Sequence, residues 1–490
     1  MEALLEPLRE LAEIEEIQNE KKKEAGLIQI TGCVGSQKTH LTCALGSDCK
    51  YKLIVTSGES KAKQMYEEYR FLKETVYLYP AKDLLFYHAD LRGKQLVSSR
   101  METIQALLLG EGCTVITTFD AFMDSLLPIE TIRERIFSLK VGDIIDFEKV
   151  QKDLTLLGYE REVQIEGPGQ FAVRGGILDV YPLTEEVPVR IELWDDEIDS
   201  IRTFDVESQR SIENLEEITI YPASEFMDEK TKRVSFLDYF PREDTLLFLE
   251  EPARLIEQGE AVEAEFIESM KKRVETGCEV SDEEVKLFAP KEIASKMNQY
   301  PGIGLSILEG KRNLFHVKKS IHLQVKGVNP YNNSFETLTR DLARLKRSGY
   351  RVILLSGSRT RAKRLAEDLR DYSLSSFYSE EMDREVQPGE IMVAYGHVDE
   401  GYEYPLLKFI VISETDIFGK KKKKKKRKTY EGQKIQSFSD LKVGDYVVHE
   451  NHGLGIYQGI EKIEVDKVAK DYMKISYADG GNLYILATQL

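Results

Sequence analysis

Leu27-Ile28-Gln29-Ile30-Thr31 runs directly into Gly32-Cys33-Val34-Gly35-Ser36-Gln37-Lys38-Thr39, and the reading of this stretch decides the fold. A short apolar strand, a glycine-bearing loop closing on Lys-Thr, and a helix ending near Gly46 are the parts of a phosphate-binding loop. The pattern asks for glycine where Gln37 stands, because the backbone there should wrap closely around phosphate oxygens. Lys38 and Thr39 keep their places after a strand and before a helix. The loop therefore reads as a relic: Gly32, Gly35, Gln37, Lys38 and Thr39 preserve the topology of a nucleotide-binding sheet without holding nucleotide. The opposite reading is a working ATP site on the same residues.

Working outward, apolar strands are expected at Lys52–Thr56, Val76–Tyr79 and Thr114–Thr118, with helices between them. Alternating strands and helices predict a parallel sheet. Leu246-Leu247-Phe248-Leu249-Glu250-Glu251 has the shape of a strand ending on a magnesium-holding carboxylate, although Glu250 is longer than the usual Asp. No arginine-rich helicase motif follows it. From Phe137 the texture becomes β-rich. Val187, Val189, Ile191 and Leu193 point one way, and Arg190, Glu192 and Trp194 the other. A further βαβ unit starts near residue 320, its helix opened by a capping box at Asn333-x-x-Glu336. Residues 438–490 read as short strands of a small barrel, with a hairpin turn at Asp479-Gly480.

The expected divisions are an α/β domain over 1–136, a β-rich insert over 137–216, a return of the α/β domain over 217–319, a small α/β domain over 320–419, a basic linker over 420–437 and the small barrel over 438–490. The linker is set by nine consecutive cations from Lys420 to Lys428, which repel one another and stay solvated.

The 490 residues carry 68 Lys+Arg against 85 Asp+Glu, a net charge of −17, which excludes a general nucleic-acid coat. No run of about 18 apolar residues occurs, and the acidic start is unlike a signal peptide. Five scattered cysteines fit a reducing, cytoplasmic setting. His449 and His452 supply too few ligands for a metal site, so none is expected.

Three stretches carry a family resemblance: Gly32–Thr39, the segment from Leu157-Gly158-Tyr159 through Gly169–Asp179, and Arg190–Arg202. Together they resemble the module shared by the excision-repair protein UvrB and the bacterial transcription-repair coupling factor. Tyr79–Tyr87 runs straight on toward the helix at Arg100, where UvrB would insert a long aromatic hairpin. Asp440–Tyr457 resembles the coupling factor's RNA-polymerase-interaction domain, which UvrB lacks. The resemblance thus points to the N-terminal part of the coupling factor.

The resemblance implies a degenerate P-loop (RecA-like) α/β domain interrupted by the β-rich insert, then the small α/β domain and a Tudor-like barrel. It implies that Arg174, Arg190 and Trp194 contact UvrA, and that the strand around Tyr457 and Ile463 pairs with the RNA polymerase β subunit. No catalytic residue and no cofactor are expected in this chain, which is expected to break off within or at the edge of the barrel. ATP, Mg²⁺ and double-stranded DNA would belong to a motor that follows in the family. The implied role is a repair factor that brings UvrA to stalled polymerase. Two alternatives are an ATP-dependent helicase or translocase running on residues 32–39, and a UvrB-like excision nuclease subunit.

Overall fold

Apolar runs without polar alternation, such as Leu53-Ile54-Val55 and Leu246–Leu249, must be covered on both faces, as strands of a parallel sheet are. The computed structural model places them so. It describes residues 2–21, 23, 25–72, 75–82, 94–223, 233–275, 287–310, 314–419, 443–449, 453–465, 468–477 and 482–486. Over 94–95, 272–275, 448–449, 453, 460–465, 468–473 and 482–486 only the backbone is described. The Lys420–Lys428 tract, His452 and the Asp479-Gly480 turn lie outside these residues, as do positions 83–87 of the Tyr79–Tyr87 stretch.

Seven strands form the central sheet, in the order Val317–His322, Gly26–Thr31, Pro301–Leu305, Thr245–Glu250, Tyr51–Thr56, Cys113–Thr118 and Val76–Tyr79. Every pairing is parallel. The sheet is therefore assembled from both flanks of the insert, with Gly26–Thr31 joined to strands nearly 300 residues away.

The insert forms a six-stranded sheet ordered Ser211–Leu215, Glu197–Phe204, Val189–Trp194, Ile177–Tyr181, Gln170–Arg174 and Glu160–Glu162. The inward side of Val189–Trp194 is Val189, Ile191 and Leu193, as the alternation predicts. Glu217–Ile220 follows the expected boundary at 216, yet pairs back antiparallel with Phe137–Lys140. That pairing ties the two ends of the insert together.

The second α/β layer orders its strands Lys326–Gly327, Tyr402–Tyr404, Phe409–Ile412, Arg351–Ser356, Ile391–Tyr395 and Ser376–Ser379. Its helix Phe335–Arg347 is capped one residue later than expected: Ser334 accepts from Thr337 N–H, while Asn333 takes a left-handed φ of 66°.

From Val443 onward the described residues form a separate unit. Tyr446–His449, Gly453–Val465, Val468–Ser476 and Asn482–Leu486 pair in that order, all antiparallel. Val447, Tyr457 and Ile475 are its buried apolar residues among those described. A register shift falls between Tyr457 and Gly459, where Gly459 adopts φ 110°.

Candidate functional site

The loop Gly32–Thr39 leaves the C-terminal end of Gly26–Thr31, the strand next to one edge of the seven-stranded sheet, and enters the helix Gln37–Leu45, the usual end for a ligand in such sheets. Its left-handed residues are Gly32 and Gly35, at φ 84° and 43°. Gln37 is the first residue of the helix and is not among the positive-φ residues. The reason given from sequence for its effect thus needs correction: the backbone at 37 makes no tight bend, and what matters is the side chain. Gln37 is fully buried, and its Oε1 accepts from Val34 N–H at 3.3 Å, capping an amide of the loop with its own carboxamide.

The two residues that would serve a triphosphate have other partners. Lys38 Nζ lies 2.6 Å from Glu250 Oε1 and 2.7 Å from Glu251 Oε1, with Lys38 and Glu250 both buried. Desolvation works against the ammonium, but the two carboxylates outweigh it and hold its pKa above the ordinary value. The Thr39 hydroxyl, which would face magnesium, donates to Glu68 Oε2, and Ser36 Oγ donates to Glu68 Oε1 at 2.5 Å. Three carboxylates thus stand where phosphate oxygens would need donors. These residues, as arranged, do not fit ATP and Mg²⁺.

Glu68 escaped the sequence reading. A signal was available: it sits beside Met65 and Tyr69 on the buried face of helix Glu59–Phe71, where an ionisable side chain requires partners.

A second candidate site lies on the insert. Asp179 is buried and pairs across strands with Arg190. Its carboxylate receives Arg190 Nε at 2.7 Å, Arg190 Nη2 at 2.9 Å and Arg174 Nη2 at 2.8 Å. Arg190 also donates to Gln209 Oε1 at 2.8 Å and lies 4.2 Å from the Phe204 ring centroid. Its side chain is only 14% exposed, against 45% for Arg174. Trp194 ends the same strand at a tight hairpin and is 81% exposed. Register places all three expected residues on one face of the sheet. They nonetheless differ in kind: Trp194 and Arg174 are presented to solvent, whereas Arg190 mainly holds Asp179. Ile144, 75% exposed, bridges Glu197, which also pairs with Trp194, so Ile144 and Trp194 flank Glu197.

In the small unit the two expected residues separate. Tyr457 is buried, its N–H bonds to Asp445 O at 2.9 Å, and its carbonyl accepts from Gly444 N–H at 2.8 Å. Its side chain is buried among the apolar residues of this sheet. Ile463 lies further along the strand, opposite Lys470, and its side chain is outside the described residues. Among the described residues, 458–465 have a partner strand on one edge only.

Among the described residues no group of three or more His, Cys, Asp or Glu could hold a metal ion, and no helix is long and apolar enough to cross a membrane.

Comparison with known proteins matches two family models: a UvrB interaction domain over residues 137–226 and a CarD-like/TRCF RID domain over 441–490. The transcription-repair-coupling factor of Bacillus subtilis (strain 168) is 30% identical, covering 94% of this chain and 44% of that protein. Those of Staphylococcus haemolyticus and Staphylococcus aureus (strain MRSA252) are 27% and 28% identical, over 94% and 85% of this chain. The chain spans less than half the length of these curated relatives. Both modules thus occur in this chain, in this order, and it is similar to transcription-repair-coupling factors along nearly all of its own length.

Proposed function

We propose that this chain is an adaptor in transcription-coupled nucleotide excision repair, docking UvrA on the β-rich insert and the RNA polymerase β subunit on the C-terminal sheet. The observation that carries the reading is Trp194. An indole so exposed, on a short hairpin braced by the Asp179–Arg190 pair, is the kind of rigid aromatic anchor that interfaces bury. Arg174, on the same face and half exposed, can form a charge-assisted contact without losing its own support. For the polymerase, the edge of 458–465 supports addition of a strand, in which main-chain hydrogen bonds supply affinity.

In this reading the loop Gly32–Thr39 uses no cofactor, since Lys38 and Thr39 are held by carboxylates. The same geometry argues against a helicase running on residues 32–39. Engagement of double-stranded DNA with ATP and Mg²⁺ is assigned to other parts of the longer relatives, and the cytoplasm to the whole.

The test is capture of UvrA by the full chain. Trp194→Ala is expected to lower retention about tenfold or more, as loss of a central aromatic anchor does, with thermal unfolding unchanged. Undiminished capture by Trp194→Ala combined with Arg174→Ala would refute the assignment.

A further inference from the structure

The helix Gln37–Leu45 has almost no solvent-facing side: all its residues except Ala44 are buried. A helix buried all round must have structure packed on both sides. One side is the central sheet, through Ile28, Ile30 and Leu305. The other is the second α/β layer, whose Leu355, Tyr402, Tyr404 and Phe409 belong to the same apolar core.

Polar contacts cross the same seam. Besides Ser36 and Thr39, Glu68 accepts the backbone N–H of Asp399 at 3.1 Å, and Ser36 Oγ accepts that of Glu400 at 3.1 Å. Gln37 Nε2 donates to Tyr404 Oη at 3.0 Å, and Tyr404 Oη lies 3.2 Å from His40 Nδ1. The other ring nitrogen of His40 lies 2.8 Å from the Leu4 carbonyl, which can only accept. That fixes the proton on Nε2 and leaves Nδ1 to accept from Tyr404. A continuous, one-directional chain of donors thus runs from Gln37 through Tyr404 and His40 to the N-terminal segment. Glu400 closes the arrangement. A Cβ placed on Gly35 would lie 2.7 Å from Glu400 Oε2, so this left-handed glycine admits a carboxylate of the same chain where a phosphate would approach.

We propose that the loop Gly32–Thr39 is a docking socket whose ligand is the chain's own Asp399–Tyr404 segment, with Gln37 as its specificity-determining residue. The socket fastens the second α/β layer to the central sheet. Gln37 has not merely damaged a nucleotide site: it recognises the tyrosine that replaced the nucleotide. Glycine at position 37 therefore removes the docking contact without restoring a triphosphate site, because Glu68, Glu250, Glu251 and Glu400 remain. This inference is independent of the UvrA and polymerase assignments.

The experiment is amide hydrogen exchange across residues 396–404 in the full chain, alongside calorimetric titration with ATP and Mg²⁺. In Gln37→Gly, exchange in this segment is expected to rise about tenfold, the scale of one lost hydrogen bond with a buried group left unpaired, while strand Cys113–Thr118 is unchanged. ATP and Mg²⁺ give no saturable binding up to millimolar concentration. Tyr404→Phe keeps the ring packing, removes only the hydroxyl and should reproduce the exchange result, which covers the case of a poorly folded Gln37→Gly. Saturable micromolar binding of ATP by Gln37→Gly would overturn the proposal. So would unchanged exchange of 396–404 in Tyr404→Phe.

Discussion

At the scale of single residues, Arg174 and Arg190 share the Asp179 carboxylate but are not interchangeable. Arg190 is the bidentate, largely buried partner, so Arg190→Ala leaves a buried carboxylate half compensated. Its expected cost is about 3 kcal/mol. Arg174→Ala, at a half-exposed pair, is expected to cost under about 1 kcal/mol. Denaturant unfolding monitored within the insert separates the two, and equal losses would show that Arg190 has no special structural part. Loss of UvrA capture in Arg190→Ala alone would therefore be ambiguous, which is why Trp194 and Arg174 make the cleaner pair. His40 makes a second prediction. Complete burial pushes its pKa down to about 4, mainly by desolvation, against about 6.5 in the unfolded chain. Between those values the unfolded state binds the extra proton, so stability falls as pH is lowered from about 6.5 toward 4. The full effect is about 3 kcal/mol. His40→Gln should flatten that part of the stability–pH curve relative to the parent protein; an unaltered slope would place the titrating group elsewhere.

At the scale of elements, the long strand Gly453–Val465 divides at its bulge. Its first part pairs with Tyr446–His449 and leads to the buried Tyr457; residues 458–465 pair only with Val468–Ser476 among the described residues. Two substitutions on the one strand should therefore behave differently. Tyr457→Ala removes a buried aromatic and is expected to cost about 3–5 kcal/mol, melting the C-terminal sheet while the large unit stays folded. Limited proteolysis after residue 443 would report this. Ile463→Arg is expected to abolish capture of the polymerase β subunit with that sheet still folded. Retained capture would move the contact to another edge, Asn482–Leu486 being the other end of the sheet. The sequence reading singled out the strand around Tyr457 and Ile463, with Ile463 the first position to test. The register shift between Tyr457 and Gly459, with Gly459 at φ 110°, is a backbone feature that alternation alone does not reveal.

Across the large unit, the N-terminal segment acts as a strap over both α/β layers. Ala3 N–H bonds to Met382 O at 3.1 Å, the Leu4 carbonyl meets His40, and Glu10 takes Arg351 Nη1 and Nη2 at 2.6 and 2.9 Å. Leu4, Leu8, Ile14 and Ile17 lie in the core that also contains Ile353 and Met392. Deleting residues 2–20 should expose part of this core and lower the thermal midpoint by several degrees, with faster amide exchange in both layers. An unchanged midpoint would mean that the socket alone holds them together. Such a result would leave the insert's assignment untouched, because the partners that hold Asp179 and Arg190 lie within the insert itself.

Local chemistry made much of this protein legible in its residues. The parallel sheet followed from strands alternating with helices, the insert from its alternating strand, and the loop at 32–39 from its place between a strand and a helix. These are features of sequence neighbours, and their periodicity needs no knowledge of what lies across the fold. What only the tertiary structure decided is where the side chains of that loop go. Lys38 meets Glu250 and Glu251, Thr39 meets Glu68, and Gln37 meets Tyr404, partners between 29 and 367 positions away. An ionisable or amide side chain must find a partner once it is buried, but the alternatives along a chain are many and the local pattern does not choose among them. The packing of one layer on the other makes that choice.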